Sequence, residues 1–556
     1  MNFVETKRIK LAQKCVYYGK YEYAQLIINK LLEEDSTNPE LLKEIGILYI
    51  GMQNYETACK FIRNSFDKEK SVEILKLLAS VNMQCGHYED AAIQYEELTK
   101  HENTEDIYAR CVEAYKQLDI YEEAIRIAKI AVEKFKNAST LASLFFIYVV
   151  CGMEKESIEC CNELKKNYPN NPITYNSLGF LYETIYNDYE EAKKYFLKAT
   201  KLGFIEAYYN LGVCCKQSED FVGAEKYLKK LIALKHTSSM DYNYTLGSVY
   251  MAQKKLRLGY KYYSNRQSSL QLTYRNRNHL WDGKDYPKET LFVSSEQGFG
   301  DNIQFVRYLP FVAKKFKKVI YSAPSILTEL FQNSFPQDEY PNIEIIPQGT
   351  PIRYNKFALI MDLPYLLHQN FHNIPSKEHY LISNNEKEHL FKEKYFNNDN
   401  IKIGLCWRAK GMGIRDAVYR TIDAPYYFKD LFNIENAKYY SFQMGDIFDM
   451  NTKYPQITDV TEDISNFDDT AAALKNLDIL ITIDTALAHL AGALGVKTYL
   501  LLCHAPDWRW FDNTTKTEWY PSIKIIKQHD RKTWEDVSKQ LVQDIKIDVK
   551  KLSKTE

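Results

Sequence analysis

The sequence carries almost no net charge. Its 72 lysines and arginines are offset by 73 aspartates and glutamates, which leaves −1 at pH 7. A global field that would recruit nucleic acid or an anionic membrane is therefore excluded. Long apolar runs are missing too. A stretch such as LDILITI at 477–483 falls far short of the roughly 20 residues that span a bilayer. The opening segment, MNFVETKRIKLAQKC, has no apolar core of signal-peptide length and runs straight into a helical pattern. These absences predict a chain with no membrane span that works in the cytoplasm.

Other absences exclude particular chemistries. There are 11 cysteines but no Cys-x-x-Cys pair, and Cys160–Cys161 and Cys214–Cys215 are adjacent. That spacing suits neither a zinc knuckle nor a disulfide framework, so the cysteines read as small core residues in a reducing compartment. No Gly-Lys-Ser/Thr triplet occurs, which excludes a P-loop. No Asp-x-Asp triplet occurs either. No metal ligand set is predicted.

What is present is length and periodicity. A chain of 556 residues exceeds what one core organises, so two or three domains are expected. In the first half an aromatic is followed three residues later by alanine: Tyr55 and Ala58, Tyr88 and Ala91, Tyr121 and Ala124. The three tyrosines are spaced 33 residues apart. The phase continues through Leu178, Gly179 and Tyr182, then Leu211 and Gly212, then Leu246, Gly247 and Tyr250. Tyr21 and Ala24 form an earlier half-match, and the unit around Ser157 is degenerate. Small residues let paired helices approach, and large ones such as Tyr49, Phe196 and Leu228 fill the space between units. This resembles the tetratricopeptide repeat, with about eight units over 1–266. The concave face of such an array commonly binds peptides.

Residues 267–289 predict a connector packed on the next domain, because Leu280 and Trp281 are too apolar for a free linker. Beyond residue 290, short apolar strands alternate with helices, which predicts parallel sheets. Candidate strands are TLFVSS, KVIYSAP, IEIIP and FALIMDLP, then IKIGLC, AKYYSF, LDILITI and KTYLLL. They divide into two Rossmann-like halves, 290–395 and 396–530. An amphipathic helix over 531–556 is expected to return toward the first half.

The chemistry-bearing motifs follow strands, where ligands bind in open α/β sheets. In SSEQGFGDNIQF (294–305), Gly298 and Gly300 permit a tight turn. Ile303 occupies the third glycine position of a dinucleotide fingerprint, so that reading is weak. Asp301 at the helix start is either a cap or an acid facing a cleft. In DTALAHLAGALG (484–495), Asp484 and Thr485 open a helix whose N-terminus suits a diphosphate, and His489 lies a turn in. The loop CHAPDWRWF (503–511) packs two tryptophans, an arginine and an acid, with Asp507 and Trp508 as candidate cleft residues. The loop CWRAKGMGIRDAVYR (406–420) offers Arg408, Lys410, Arg415 and Arg420, enough charge to balance a nucleotide diphosphate.

Together EQGFGDNIQFVRY, DTALAHLAGALG and APDWRWF resemble GT-B glycosyltransferases. More narrowly, they are similar to bacterial tetratricopeptide proteins with a heptosyltransferase-like domain, a group that includes enzymes glycosylating flagellin. The architecture is also similar to protein O-GlcNAc transferases. The expected fold is thus α + α/β, an N-terminal α-solenoid followed by a GT-B pair of Rossmann-like halves. The resemblance implies Asp301 as the base for the acceptor hydroxyl. It implies donor binding by Trp407, Lys410, Arg415, Arg420, Gln443, Asp484, Thr485, Ala488, His489 and Leu490. On the acceptor side it implies Glu296, Gln297, Gly298, Gly300 and Gln304.

The basic loop departs from the short heptosyltransferase pattern, which leaves open which cation meets the phosphate. The absent Asp-x-Asp agrees with a metal-independent mechanism. UDP-GlcNAc is the donor expected by analogy and flagellin the protein acceptor. A glycan or lipid acceptor and an inactive binding scaffold are the competing readings.

Overall fold

The computed structural model describes residues 1–234, 242–266, 274–376, 379–409, 420–445, 448–511 and 515–553. The chain forms an N-terminal tetratricopeptide-like solenoid followed by a domain of parallel sheets, the expected α + α/β class. It divides into two compact units. The first is Met1–Leu211 with Gln271–Asn278, and the second is Gly212–Leu270 with His279–Glu556.

Among the described residues, six helix pairs make up the solenoid of the first unit. They are α1 (Phe3–Tyr17) and α2 (Tyr21–Glu34), α3 (Pro39–Gly51) and α4 (Tyr55–Lys68), α5 (Val72–Cys85) and α6 (Tyr88–His101). Then come α7 (Glu105–Gln117) and α8 (Tyr121–Phe135), α9 (Ala138–Val150) and α10 (Glu154–Asn167), α11 (Pro172–Thr184) and α12 (Tyr189–Lys201). Short polar residues start many of them. Asn38, Asn54, Ser71, Asn137, Asn171 and Asp188 each accept a backbone N–H of the first turn. The small residues act as expected. A Cβ on Gly179 would sit 2.5 Å from the Phe196 ring, so glycine sets how closely α11 and α12 pack. The turn inside each of several pairs carries one left-handed residue: Gln53, Gly86, Asp119, Gly152 and Asn187.

The second unit begins with the closing repeats. α13 (Ala207–Gln217) runs into it, and α14 (Phe221–Ala233), α15 (Tyr242–Ala252) and α16 (Leu256–Tyr263) lie within it. Leu256, Tyr260 and Tyr263 share one core with the sheet residues Leu291, Val293, Val319 and Leu500. The last repeat is thus built into the sheet domain rather than tethered beside it. Trp281 of the connector joins the same core and donates its indole N–H to the Lys284 carbonyl at 2.7 Å.

Among the described residues, the named strands form two sheets whose strand pairings are all parallel. The first has the order β3 (Ile343–Pro347), β2 (Phe316–Ala323), β1 (Tyr286–Ser294), β4 (Lys356–Leu359). The second has the order β10 (Ile523–Lys527), β9 (Thr498–Leu502), β8 (Ile479–Ile483), β5 (Ile401–Cys406), β6 (Ala437–Ser441), β7 (Thr458–Asp459). Each order reverses direction once. β1 lies between β2 and β4, and β5 lies beside β8, so each sheet has a switch point where a crevice opens at the strand ends.

Five further helices matter below: α17 (Phe299–Phe305), α18 (Ser325–Ser334), α19 (Phe467–Leu474), α20 (Ala486–Leu494) and α21 (Glu535–Leu552). Lys387 ties three segments together, with its ammonium 2.8 Å from Glu329 on α18 and 3.0 and 2.8 Å from Asp468 and Asp469 on α19.

The terminal helix corrects an expectation. α21 does not return to the first half. Val537, Leu541, Ile545 and Val549 pack into the core of the second sheet with Ile403, Ile481 and Leu501. Asp548 accepts the Tyr499 hydroxyl at 2.6 Å and pairs with Lys497 at 2.6 Å. The apolar stripe of α21 finds its cover on the sheet it follows.

Candidate functional site

The motif turns all leave the carboxyl ends of strands. Asp301 follows β1, Trp407 follows β5, Gln443 follows β6, Asp484 follows β8 and Asp507 follows β9. Those after β1, β5 and β8 lie at the two switch points. The structure brings the turns after β1, β8 and β9 together.

Asp301 opens α17. One carboxylate oxygen accepts the Gly298 N–H at 3.0 Å, and the other accepts from the Arg509 guanidinium. Arg509 reaches Asp507 as well, at 2.6 Å, so one cation bridges two acids from different sheets. The guanidinium also lies 4.4 Å from the Trp508 ring centre. Burial pushes the Asp301 carboxyl above its ordinary value, against the pull of Arg509 and the Gly298 hydrogen bond. Burial also works against ionisation of Asp507, but the charges of Arg509 and Lys216 hold that carboxyl below its ordinary value.

A third acid, Asp484, directly follows β8. Burial raises its pKa to about 6, opposed by Arg420 and reinforced by Asp507. Arg420 donates to the Asp484 backbone carbonyl at 2.8 Å and lies 3.9 Å from its carboxylate. Thr485 caps α20 by position, without a side-chain hydrogen bond to its first turn. Ala488 and Leu490 are buried within α20. His489 is buried, meets the Tyr520 hydroxyl through Nδ1 at 2.9 Å and stacks on Trp510 at 5.1 Å. Burial lowers its pKa to about 3, helped by Arg509 and Arg307, so it is neutral at physiological pH.

The glycines of the opening turn differ in surroundings. A Cβ on Gly298 would meet only Asp301, at 3.4 Å. A Cβ on Gly300 would lie 2.8 Å from His489 Cδ2 and 3.4 Å from Ala486 Cα. The room Gly300 provides is therefore taken by α20. Gln297 adopts the left-handed conformation, and its amide oxygen accepts the Tyr263 hydroxyl at 3.3 Å.

Glu296 points away from the acids. It pairs with Arg266, which also binds Asp362 at 2.7 Å. Arg266 is 1% exposed and the Glu296 side chain 4%. This buried triad joins the end of the repeats to the turn after β1. Gln304 is buried with no hydrogen bond to its amide, and Trp508 is buried against Tyr260 and Tyr263.

Gln443 serves the backbone. Its amide oxygen accepts the N–H of Trp407 at 3.1 Å and of Arg408 at 2.7 Å. Trp407 is buried, and its carbonyl accepts the Ile422 N–H at 2.9 Å. Both ends of the basic loop are thereby fastened at the crevice. Lys410 and Arg415 lie outside the described residues.

Several organising residues are not evident from sequence. Asn302 donates to the carbonyls of Glu296 and Gly298 at 3.0 and 2.8 Å and accepts the Tyr321 hydroxyl at 2.7 Å. Arg307 donates to the carbonyls of Pro375 and Trp519 at 3.2 and 3.0 Å. Arg509 stands within the quoted CHAPDWRWF loop, but its partner Asp301 is 208 residues away.

No family model matches the chain. A stretch of 280 residues is 22% identical to Protein FlbA of Caulobacter vibrioides, and the chain spans 46% of that curated relative. Among solved structures, a tetratricopeptide repeat protein from Parabacteroides merdae is similar at TM-score 0.35 and 17% identity, over 44% of this chain and 97% of its own. The pilF protein of Pseudomonas aeruginosa is similar at TM-score 0.26 and 13% identity, over 36% of this chain and 91% of its own. No helix among the described residues is long and apolar enough to cross a membrane.

Proposed function

We propose that the protein is a metal-independent glycosyltransferase. It moves a sugar from a nucleotide-sugar donor to serine or threonine hydroxyls of a protein that the repeats recruit. The observation carrying this reading is the meeting of turns from two parallel sheets, with Asp301 and Asp484 gathered around Arg509 and Arg420. Two sheets with facing switch-point turns can hold acceptor and donor on opposite walls.

In this mechanism Asp301 accepts the proton of the acceptor hydroxyl as that oxygen attacks the sugar carbon. The bond to the nucleoside diphosphate breaks, and the leaving group takes the electron pair. A carboxylate whose basicity is raised by burial is the stronger base. Arg509 pairs with Asp301. Its transfer toward the diphosphate would free the base and supply positive charge where negative charge develops. Arg420 and the N-terminal end of α20 add to that stabilisation. Inversion at the sugar carbon needs one base and no covalent intermediate. UDP-GlcNAc is the first donor to test and flagellin the first acceptor, on the resemblance of the motifs.

One observation favours a second reading, a protein-binding scaffold without turnover: both Asp301 oxygens already have partners. Incubation of the full chain with nucleotide sugars and flagellin separates the readings. A hexose or N-acetylhexosamine mass shift on flagellin supports transfer to protein. Donor cleavage without protein modification points to a glycan or lipid acceptor, and failure to bind any nucleotide supports the scaffold.

A further inference from the structure

Among the described residues, the strongest unassigned cluster lies in the repeats of the first unit. Glu56 sits in the first turn of α4, Cys85 ends α5, and His87 directly precedes α6. One donor atom from each lies within 4.8 Å of the other two. His87 Nε2 is 3.5 Å from a Glu56 oxygen.

Local structure explains the convergence. Gly86 between Cys85 and His87 has φ of 78°, a left-handed cap that glycine adopts without strain. The chain therefore reverses between the two ligating side chains. At the matching turns of other repeats, Asn54, Asp188 and Asp220 use their side chains to cap the following helix. His87 makes no such cap, and its ring turns to Glu56 instead.

We propose that Glu56, Cys85 and His87 bind one zinc-class divalent cation, with water in the fourth position. Thiolate, imidazole and carboxylate together select a borderline cation over magnesium or calcium. Zinc bonds of about 2.0–2.3 Å require donors roughly 3.3–3.8 Å apart. The exposed Glu56 and His87 side chains can rotate inward by the difference. Binding removes the Cys85 proton to solvent, and the two resulting anions balance the cation. Cys59, one turn from Glu56, is not the fourth ligand, because its thiol is buried and bonded to Asn82 at 3.0 Å. The ion would staple α4 to the turn joining α5 and α6.

Cobalt(II) is the probe, added to the reduced, chelator-treated full chain. The expected result is one equivalent bound with a thiolate-to-cobalt absorption band, displaced by zinc. Cys85→Ser abolishes the band, and His87→Gln and Glu56→Gln each weaken binding by at least about tenfold. Zinc raises the Tm of the wild-type chain but not of His87→Gln. Because His87 lies on an exposed turn, that variant decides the matter even if Cys85→Ser folds poorly. A missing thiolate band at saturating cobalt, or a band unchanged in His87→Gln, overturns the proposal.

Discussion

Gly300 lies against His489, so close that a methyl group on Gly300 would stand 2.8 Å from the imidazole Cδ2. His489 cannot retreat, because Tyr520 holds its Nδ1 and Trp510 covers its face. Gly300→Ala should therefore destabilise the second unit by about 1–3 kcal/mol, the usual range for overpacking. Gly298→Ala, whose added methyl meets only Asp301 at 3.4 Å, should change stability by less than about 1 kcal/mol. Urea unfolding of both variants is the check. Equal effects would show that the turn is not wedged against α20.

Arg266 is enclosed by Glu296 and Asp362. Removing the cation leaves two carboxylates facing each other with little water. Arg266→Met should cost about 3–5 kcal/mol, the range for breaking a buried pair. Adding Glu296→Gln should recover part of that loss, because the repulsion goes with the charge. A calorimetric Tm for the single and double variants tests both statements, and an unchanged Tm in Arg266→Met would contradict the buried triad.

Asp484 makes a pH-dependent contribution of defined sign. Its folded pKa of about 6 exceeds the ordinary 3.8. The folded state thus holds a proton more tightly than the unfolded state. Stability from this group is fully present below about pH 4 and is lost as pH rises through 6. Asp484→Asn should gain stability relative to wild type across that window, by about 2–3 kcal/mol at pH 7 compared with pH 4. Parallel Tm–pH curves for the two proteins would exclude the raised pKa.

Much of the architecture is legible in the sequence because it follows from periodicity. The spacing of Tyr55, Tyr88 and Tyr121 gives the helix pairs, and apolar runs such as ILITI and TYLLL give the strands. The two-residue β7 carries too little pattern to be seen. Positions such as Asp119 and Gln53 also escape notice, because left-handed backbone at a non-glycine leaves no composition mark.

In the site, the strand-end placement of Asp301 and Asp484 is readable, but their partners are not. The Arg509–Asp301 pair depends on two sheets folding toward one another, and nothing near Arg509 in the chain specifies it. Glu296 illustrates the same limit. Beside two glycines it reads as part of a cleft, yet Arg266 at the end of the repeats claims it.

The most direct test of the proposed transferase is Asp301→Asn, a change that keeps shape and removes the base. Sugar transfer to the acceptor and equilibrium binding of the nucleotide-sugar donor are measured on the same preparation. The account predicts that transfer falls by about 10²–10⁴-fold while donor affinity is unchanged or tighter, because Arg509 no longer has to leave a carboxylate to meet the diphosphate. Transfer by Asp301→Asn at near the wild-type rate would contradict it.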